Sequence, residues 1–200
     1  GRTLPSPAAA GRFYLIAKPS IPPQALQATL CPVLSGENRM NIDDELQALS
    51  EQEATLAFTH FDAATAWELG AALKTAAERR GLSIAIEIQL AGQTLFYYAM
   101  PGATPDIADW VRRKRNLVNH FHKSSYAIGL RLQQRQTSLE ERYGLNVRDY
   151  SVHGGAFPLT LTGLGCVGSI SISGAPQKED HQLLVSTLAN FLGLSLPALH

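Results

Sequence analysis

The chain is poor in the residues that would declare a cofactor or a compartment. Its two cysteines, Cys31 and Cys166, are far apart and lack ligand-type spacing, which excludes a disulfide framework and a cysteine-based zinc site. An excess of one charge is also missing. The 17 Lys and Arg balance 17 Asp and Glu, so composition calls for neither a nucleic acid nor an anionic membrane as partner. No apolar run approaches the roughly 18–20 residues that span a bilayer. The nucleophile elbow, Walker loop, dinucleotide fingerprint and HExxH zinc motif are all absent. What is left is a globular composition, 45% apolar and 17% charged, which reads as cytosolic, and 200 residues fit one domain.

Residues 1–39 differ from the rest, with scattered prolines and no sustained period. Lys18 and Pro19 interrupt the apolar run Phe13 to Ala17, so a secretory signal is not read there. We expect an extension or leader outside the domain, with Met40 as a natural start and a single domain over 40–200. A degenerate targeting segment is the alternative.

From Met40 onward, two periods alternate. Ile42 to Ala54 is rich in Glu, Gln, Leu and Ala and predicts a short helix on the outside of the sheet. Thr55 to Phe61 alternates as a strand, with Leu56, Phe58 and His60 on one face. Asp62 caps a helix whose stripe is Ala66, Leu69, Gly70, Leu73 and Ala77, ending at Gly81. Leu82 to Leu90 and Thr94 to Met100 form a hairpin about Ala91-Gly92-Gln93. Thr104-Pro105-Asp106 starts a helix running to about Phe121. Ser124 or Ser125 caps the next, and Ser138 with Glu141 predicts a capping box for a short helix ending at Gly144. Phe157 to Thr162 and Cys166 to Ser173 form the last hairpin, in which Gly168 leaves room for another backbone or a ligand. Pro176 opens the final helix, with Leu184, Val185, Leu188 and Leu192 as its stripe. Tight hairpins with helices between them predict an antiparallel sheet flanked by helices, an α+β fold.

Within this frame a few residues carry chemistry. On the 105–121 helix, Ile107, Trp110, Leu117, Val118 and Phe121 make the apolar stripe. Arg112 and Arg115 point away from it into solvent, whereas Arg113 and Lys114 lie at or inside its edges. A cation there must either snorkel out or meet an anion. His60 reads as a packing residue, and His120 and His122 as helix-end caps. His153 precedes Gly154-Gly155, a pair that lets main chain approach a bound molecule; it is either an exposed loop residue or part of a site. His181 lies in the first turns of the last helix, where the dipole keeps the imidazole neutral, able to pack, accept a hydrogen bond or ligate a metal. The amides at that helix start, near Gly174, suit a carboxylate or phosphate.

The run HGGAFPLTLTGLGCVGSISISGAPQKEDH, from His153 to His181, resembles the glycine signature of the haem-degrading-domain family, which groups GlcG-like, HbpS-like and PduO C-terminal domains. Trp110 with Arg113-Lys114, followed by Ser124-Ser125-Tyr126, is similar to a branch of uncharacterised (UPF-type) proteins within it. The resemblance spans about residue 41 to the C-terminus. It implies a profilin-like, GlcG-like five-stranded antiparallel sheet flanked by α-helices, matching the five strands read above. It also implies homo-oligomers and, for some members, binding of haem, cobalamin-related molecules or iron. The glycine signature, Arg113, Lys114, Asp180 and His181 are the positions that carry over.

The leading functional expectation is a homo-oligomeric protein binding a small anionic ligand, haem or a related tetrapyrrole. Arg113, Lys114, His153, Gly154, Gly155, Gly174, Asp180 and His181 would form the site, with His153 and His181 as metal ligands. The alternative is a non-catalytic assembly or adaptor protein whose site residues serve subunit contacts. An enzyme acting on a small acid has least support, since no nucleophile and base stand at motif spacing.

Overall fold

The computed structural model describes residues 36–196, and the expected leader lies almost wholly outside that range. Helix α1 (Gly36–Thr55) leads into α2 (Ala63–Arg79), the hairpin β1 (Ala85–Leu90) and β2 (Gln93–Ala99), and α3 (Pro105–Phe121). Then come α4 (Ser125–Gln134), α5 (Leu139–Tyr143), the hairpin β3 (Ala156–Leu161) and β4 (Gly165–Ser173), and α6 (Gln177–Leu192). The capping signals hold at atomic detail. Asp62 accepts from the Thr65 amide at 2.8 Å, Ser124 from that of Ala127 at 3.3 Å, and Ser138 and Glu141 close a reciprocal capping box.

The fold is α+β, an antiparallel sheet flanked by helices, with four strands among the described residues in the order β2-β1-β4-β3. The expected fifth strand, 55–61, is not a strand. Helix α1 still holds its C-terminal end there, through Leu56 N–H to Gln52 O at 2.9 Å, and Asp62 already caps α2. Too few residues remain between them for a ladder, so pairing shrinks to one parallel bridge from Phe58 to Leu161 at the β3 edge. The side chains still serve the core: Leu56, Phe58 and Phe61 are buried, while His60 is exposed beside Asp62, 3.1 Å away.

The two faces of the sheet differ in chemistry. Ile86, Ile88, Phe157, Leu159, Ile170 and Ile172 pack against Leu69 and Leu73 of α2 and Leu184 and Leu188 of α6 in the main hydrophobic core. The other face, which α3 covers, presents Glu87, Gln89, Ser169, Ser171 and Ser173, all buried. Arg115 meets both Glu87 carboxylate oxygens at 2.9 Å, and the Asn119 amide donates to Gln89 Oε1 at 3.0 Å. Arg115, expected in solvent, is therefore turned inward by a buried carboxylate. Gly168 pairs across to β1. A Cβ there would stand 2.0 Å from the Gln89 carbonyl oxygen, so the space it leaves is taken by another backbone. Smaller clusters join α1 to α4 through Leu49, Tyr126 and Leu130, and α3 to α4 and α5 through Leu117, Ile128, Leu132 and Leu139.

Candidate functional site

Four of the expected site residues meet where α3 crosses the end of β4 and the start of α6. Val111, Leu117 and Val118 form the buried face of α3 and carry Lys114 inward with them, leaving it 2% exposed. Its Nζ donates to Asp180 Oδ2 at 2.9 Å, Ser173 Oγ at 3.1 Å and the Ile172 carbonyl at 3.3 Å. These contacts occupy all three ammonium hydrogens. Asp180 has no exposed surface and also accepts from the Ala175 and Gly174 amides. Burial pushes Lys114 below the usual lysine range and Asp180 above the usual carboxylate range, and their mutual attraction opposes both shifts. Gly155 (φ +121°) makes the junction fit, because a Cβ there would lie 2.5 Å from the Ile172 oxygen and 2.8 Å from Lys114 Nζ. The amides near Gly174, read as a cradle for an incoming anion, are thus filled by the chain's own carboxylate. Gly154 has a backbone role, with the Gln177 carbonyl 2.2 Å from where its Cβ would stand.

Above this junction lies a cleft of ≈ 370 Å³ whose wall includes Ile107, Trp110, Lys114, His153, Gly174 and Pro176. The His153 ring stands edge-on to Trp110 with centroids 5.0 Å apart, and its Nδ1 is 3.1 Å from Ser151 Oγ. Burial, reinforced by the positive charges of Lys114 and Arg113, holds this imidazole below its ordinary pKa, so it is neutral at pH 7. Arg113 does not enter the cleft. Its guanidinium lies 3.8 Å over the Trp110 ring, pairs with Asp109 at 2.9 Å and donates to the Val147 carbonyl at 3.2 Å, on the wall of a separate hollow.

His181 lies elsewhere. It is buried in α6 beside Tyr126 and Phe157, with Nε2 3.0 Å from Gln52 Oε1. Burial alone lowers its pKa to about 3. It lines a second cavity, with Gln52, that does not include His153. Among the described residues no group of three or more His, Cys, Asp or Glu is placed to hold a metal ion. Sequence reasoning missed Ser173, Ser151 and Gln52 as partners. Ser173 was legible in the β4 alternation; Gln52 was not, because α1 reads as an outer helix.

The arrangement is that of an α+β domain with an antiparallel sheet flanked by helices, and comparison with known proteins gives its family. The family described as haem degrading protein HbpS-like matches residues 61–189, and the chain belongs to it. Within that family it is similar to a UPF0303 protein of Serratia proteamaculans (strain 568), 83% identical over 161 residues that span 80% of this chain and all of that one. Among solved structures it is similar to the Ybr137w protein, with a TM-score of 0.70 and 27% identity over 74% of this chain and 87% of the other. The PduOC:heme complex shares the fold, with a TM-score of 0.55 and 17% identity over 71% of this chain and 99% of that one. No helix among the described residues is long and apolar enough to cross a membrane.

Proposed function

We propose that this protein binds a small planar ligand of the tetrapyrrole class, haem foremost, in the cleft between Trp110 and His153. The observation that carries the reading is His153: a solvent-accessible imidazole kept neutral by its surroundings and set edge-on to an indole on the wall of a cleft within the size range of ligand sites. The family description and the haem complex of a PduO domain with the same fold support it.

The residues fit such a group in part. His153 suits an iron ligand, with Ser151 Oγ beside Nδ1 orienting the ring, while Trp110, Ile107 and Pro176 offer an apolar wall. The carboxylates of a tetrapyrrole find no spare cation inside, because Lys114 has spent its hydrogens on Asp180, Ser173 and Ile172, so they would stay in water at the cleft mouth. When bound, haem supplies redox-active iron; the chain supplies one imidazole, an apolar wall and a fixed floor. The same reading takes residues 40–200 as the binding domain, residues 1–39 as an extension, and the protein as a cytosolic homo-oligomer.

Titration with haemin, followed at the Soret band, tests the proposal. Saturable binding at one haem per chain, lost in His153→Ala and retained in His181→Gln, is expected. Non-saturable binding, or an unchanged titration in His153→Ala, overturns it.

An assembly or adaptor role is the second reading. It is favoured by Trp67, 69% exposed on α2 and in edge-to-face contact with Phe96 of β2, the outer strand of the sheet among the described residues. It predicts that Trp67→Ser lowers the oligomer mass in light scattering; an unchanged mass rejects it.

A further inference from the structure

The cavity beside His181 has a chemistry of its own. It encloses ≈ 460 Å³ between α1, the end of α2, α6 and the segment that follows α6. Among the described residues Arg80, which follows the last turn of α2, is the sole formally charged residue on its wall, with no Asp or Glu beside it there and His181 kept neutral by burial. Among the described residues no carboxylate pairs with Arg80, and its guanidinium donates only to Ser186 Oγ, at 3.2 Å. Gln52, 2% exposed, gives its Oε1 to His181, while no described residue accepts from its amide nitrogen. Because Gln52 lines the cavity, its amide is a donor within reach of a guest. Val185, Ala189, Leu194 and Leu196 make the apolar part of the wall, beside Gln182, Ser186, Asn190 and Ser195.

We propose that this cavity is a second binding site, separate from the His153 cleft, for a small carboxylate bearing a short apolar tail. The carboxylate meets Arg80 in a charge-assisted contact, the Gln52 amide supplies a further donor, and the tail lies on Val185, Leu194 and Leu196. A guanidinium that meets no carboxylate among the described residues, on a half-apolar wall, selects against amines and disfavours neutral alcohols of the same length.

Calorimetric titration of the full chain with sodium hexanoate, 1-hexanol and hexylamine tests this. We expect saturable hexanoate binding at one per chain, about tenfold or more weaker in Arg80→Gln, with hexanol weaker by a similar factor and hexylamine not binding. Arg80 is exposed and its helix-capping contacts are made by backbone, so the variant folds, which thermal unfolding verifies. Arg79→Gln, which removes a neighbouring arginine outside the cavity wall, should leave binding unchanged. So should His153→Ala, whose failure to bind haem would concern the other site alone. Absence of saturable hexanoate binding, equal weakening by Arg79→Gln, or wild-type affinity in Arg80→Gln each overturns the proposal.

Discussion

Replacing Lys114 by Met tests the junction beneath the cleft most sharply. Asp180 is fully buried and takes one ammonium and two backbone hydrogen bonds. Deleting the ammonium leaves a carboxylate with two amides and no countercharge. Breaking a buried pair from one side costs about 3–5 kcal/mol, a large share of the roughly 5–15 kcal/mol that holds a domain together. The pH dependence then has a definite sign. Burial already raises the Asp180 pKa, and without Lys114 it rises further. A raised group contributes stability that is present at acid pH and lost as pH climbs through its folded value. The Lys114→Met deficit should therefore be largest at pH 7.5 and shrink towards pH 5, by up to about 1.4 kcal/mol per unit where Asp180 titrates. Adding Asp180→Asn removes the stranded charge while keeping an oxygen for the Ala175 amide. The double variant should thus be at least about 2 kcal/mol more stable than the two single costs summed. Urea unfolding by circular dichroism and tryptophan fluorescence, at both pH values, measures all of this. A single-variant cost below about 1 kcal/mol, or strict additivity in the double, would refute the account of Lys114 as half of a buried pair.

Two more outcomes follow from the same geometry. The depressed pKa of His181, about 3 against an ordinary 6.5, means stability is present above pH 6.5 and lost on acidification. The loss should be about 1.4 kcal/mol per unit, and the contribution of this residue should vanish in His181→Gln, as paired urea melts at pH 7 and pH 5 will show. Gly155→Ala should destabilise by about 3 kcal/mol or prevent folding, because the methyl meets the Ile172 carbonyl at a positive φ. Gly163→Ala, also at positive φ but with nothing within 4 Å, should cost about 1 kcal/mol, and urea melts of both glycine variants measure the difference.

Much of the scaffold could be read from local rules. Asp62, Ser124, Ser138 and Gly193 mark helix ends by chemistry that involves only their own neighbours, and the 84–90 and 166–173 alternations state which sheet face is apolar. The fifth strand failed because alternation in Thr55 to Phe61 says nothing of how far the preceding helix extends. The site was legible residue by residue and not as an assembly. A lysine on an apolar stripe requires an anion, but only the fold chooses Asp180 rather than a ligand. The angular wheel placed Arg115 in solvent because Glu87, its partner on another element, was invisible to it. Two histidines flanking one signature looked like a pair, yet β3, β4 and the turn of α6 separate them into different cavities.

The polar underside of the sheet has a mechanical consequence. An apolar interface is non-directional, so a helix resting on one can creep without losing much. Helix α3 instead sits on Ser173, Glu87 and Gln89 through bonds from the neighbours Lys114 and Arg115 and, one turn on, Asn119, each a fixed peg. Its position along the sheet is therefore indexed like a gear tooth. Trp110, one turn before Lys114, inherits that setting, so the width of the opening opposite His153 is fixed by hydrogen-bond lengths rather than by how much grease the helix happens to cover.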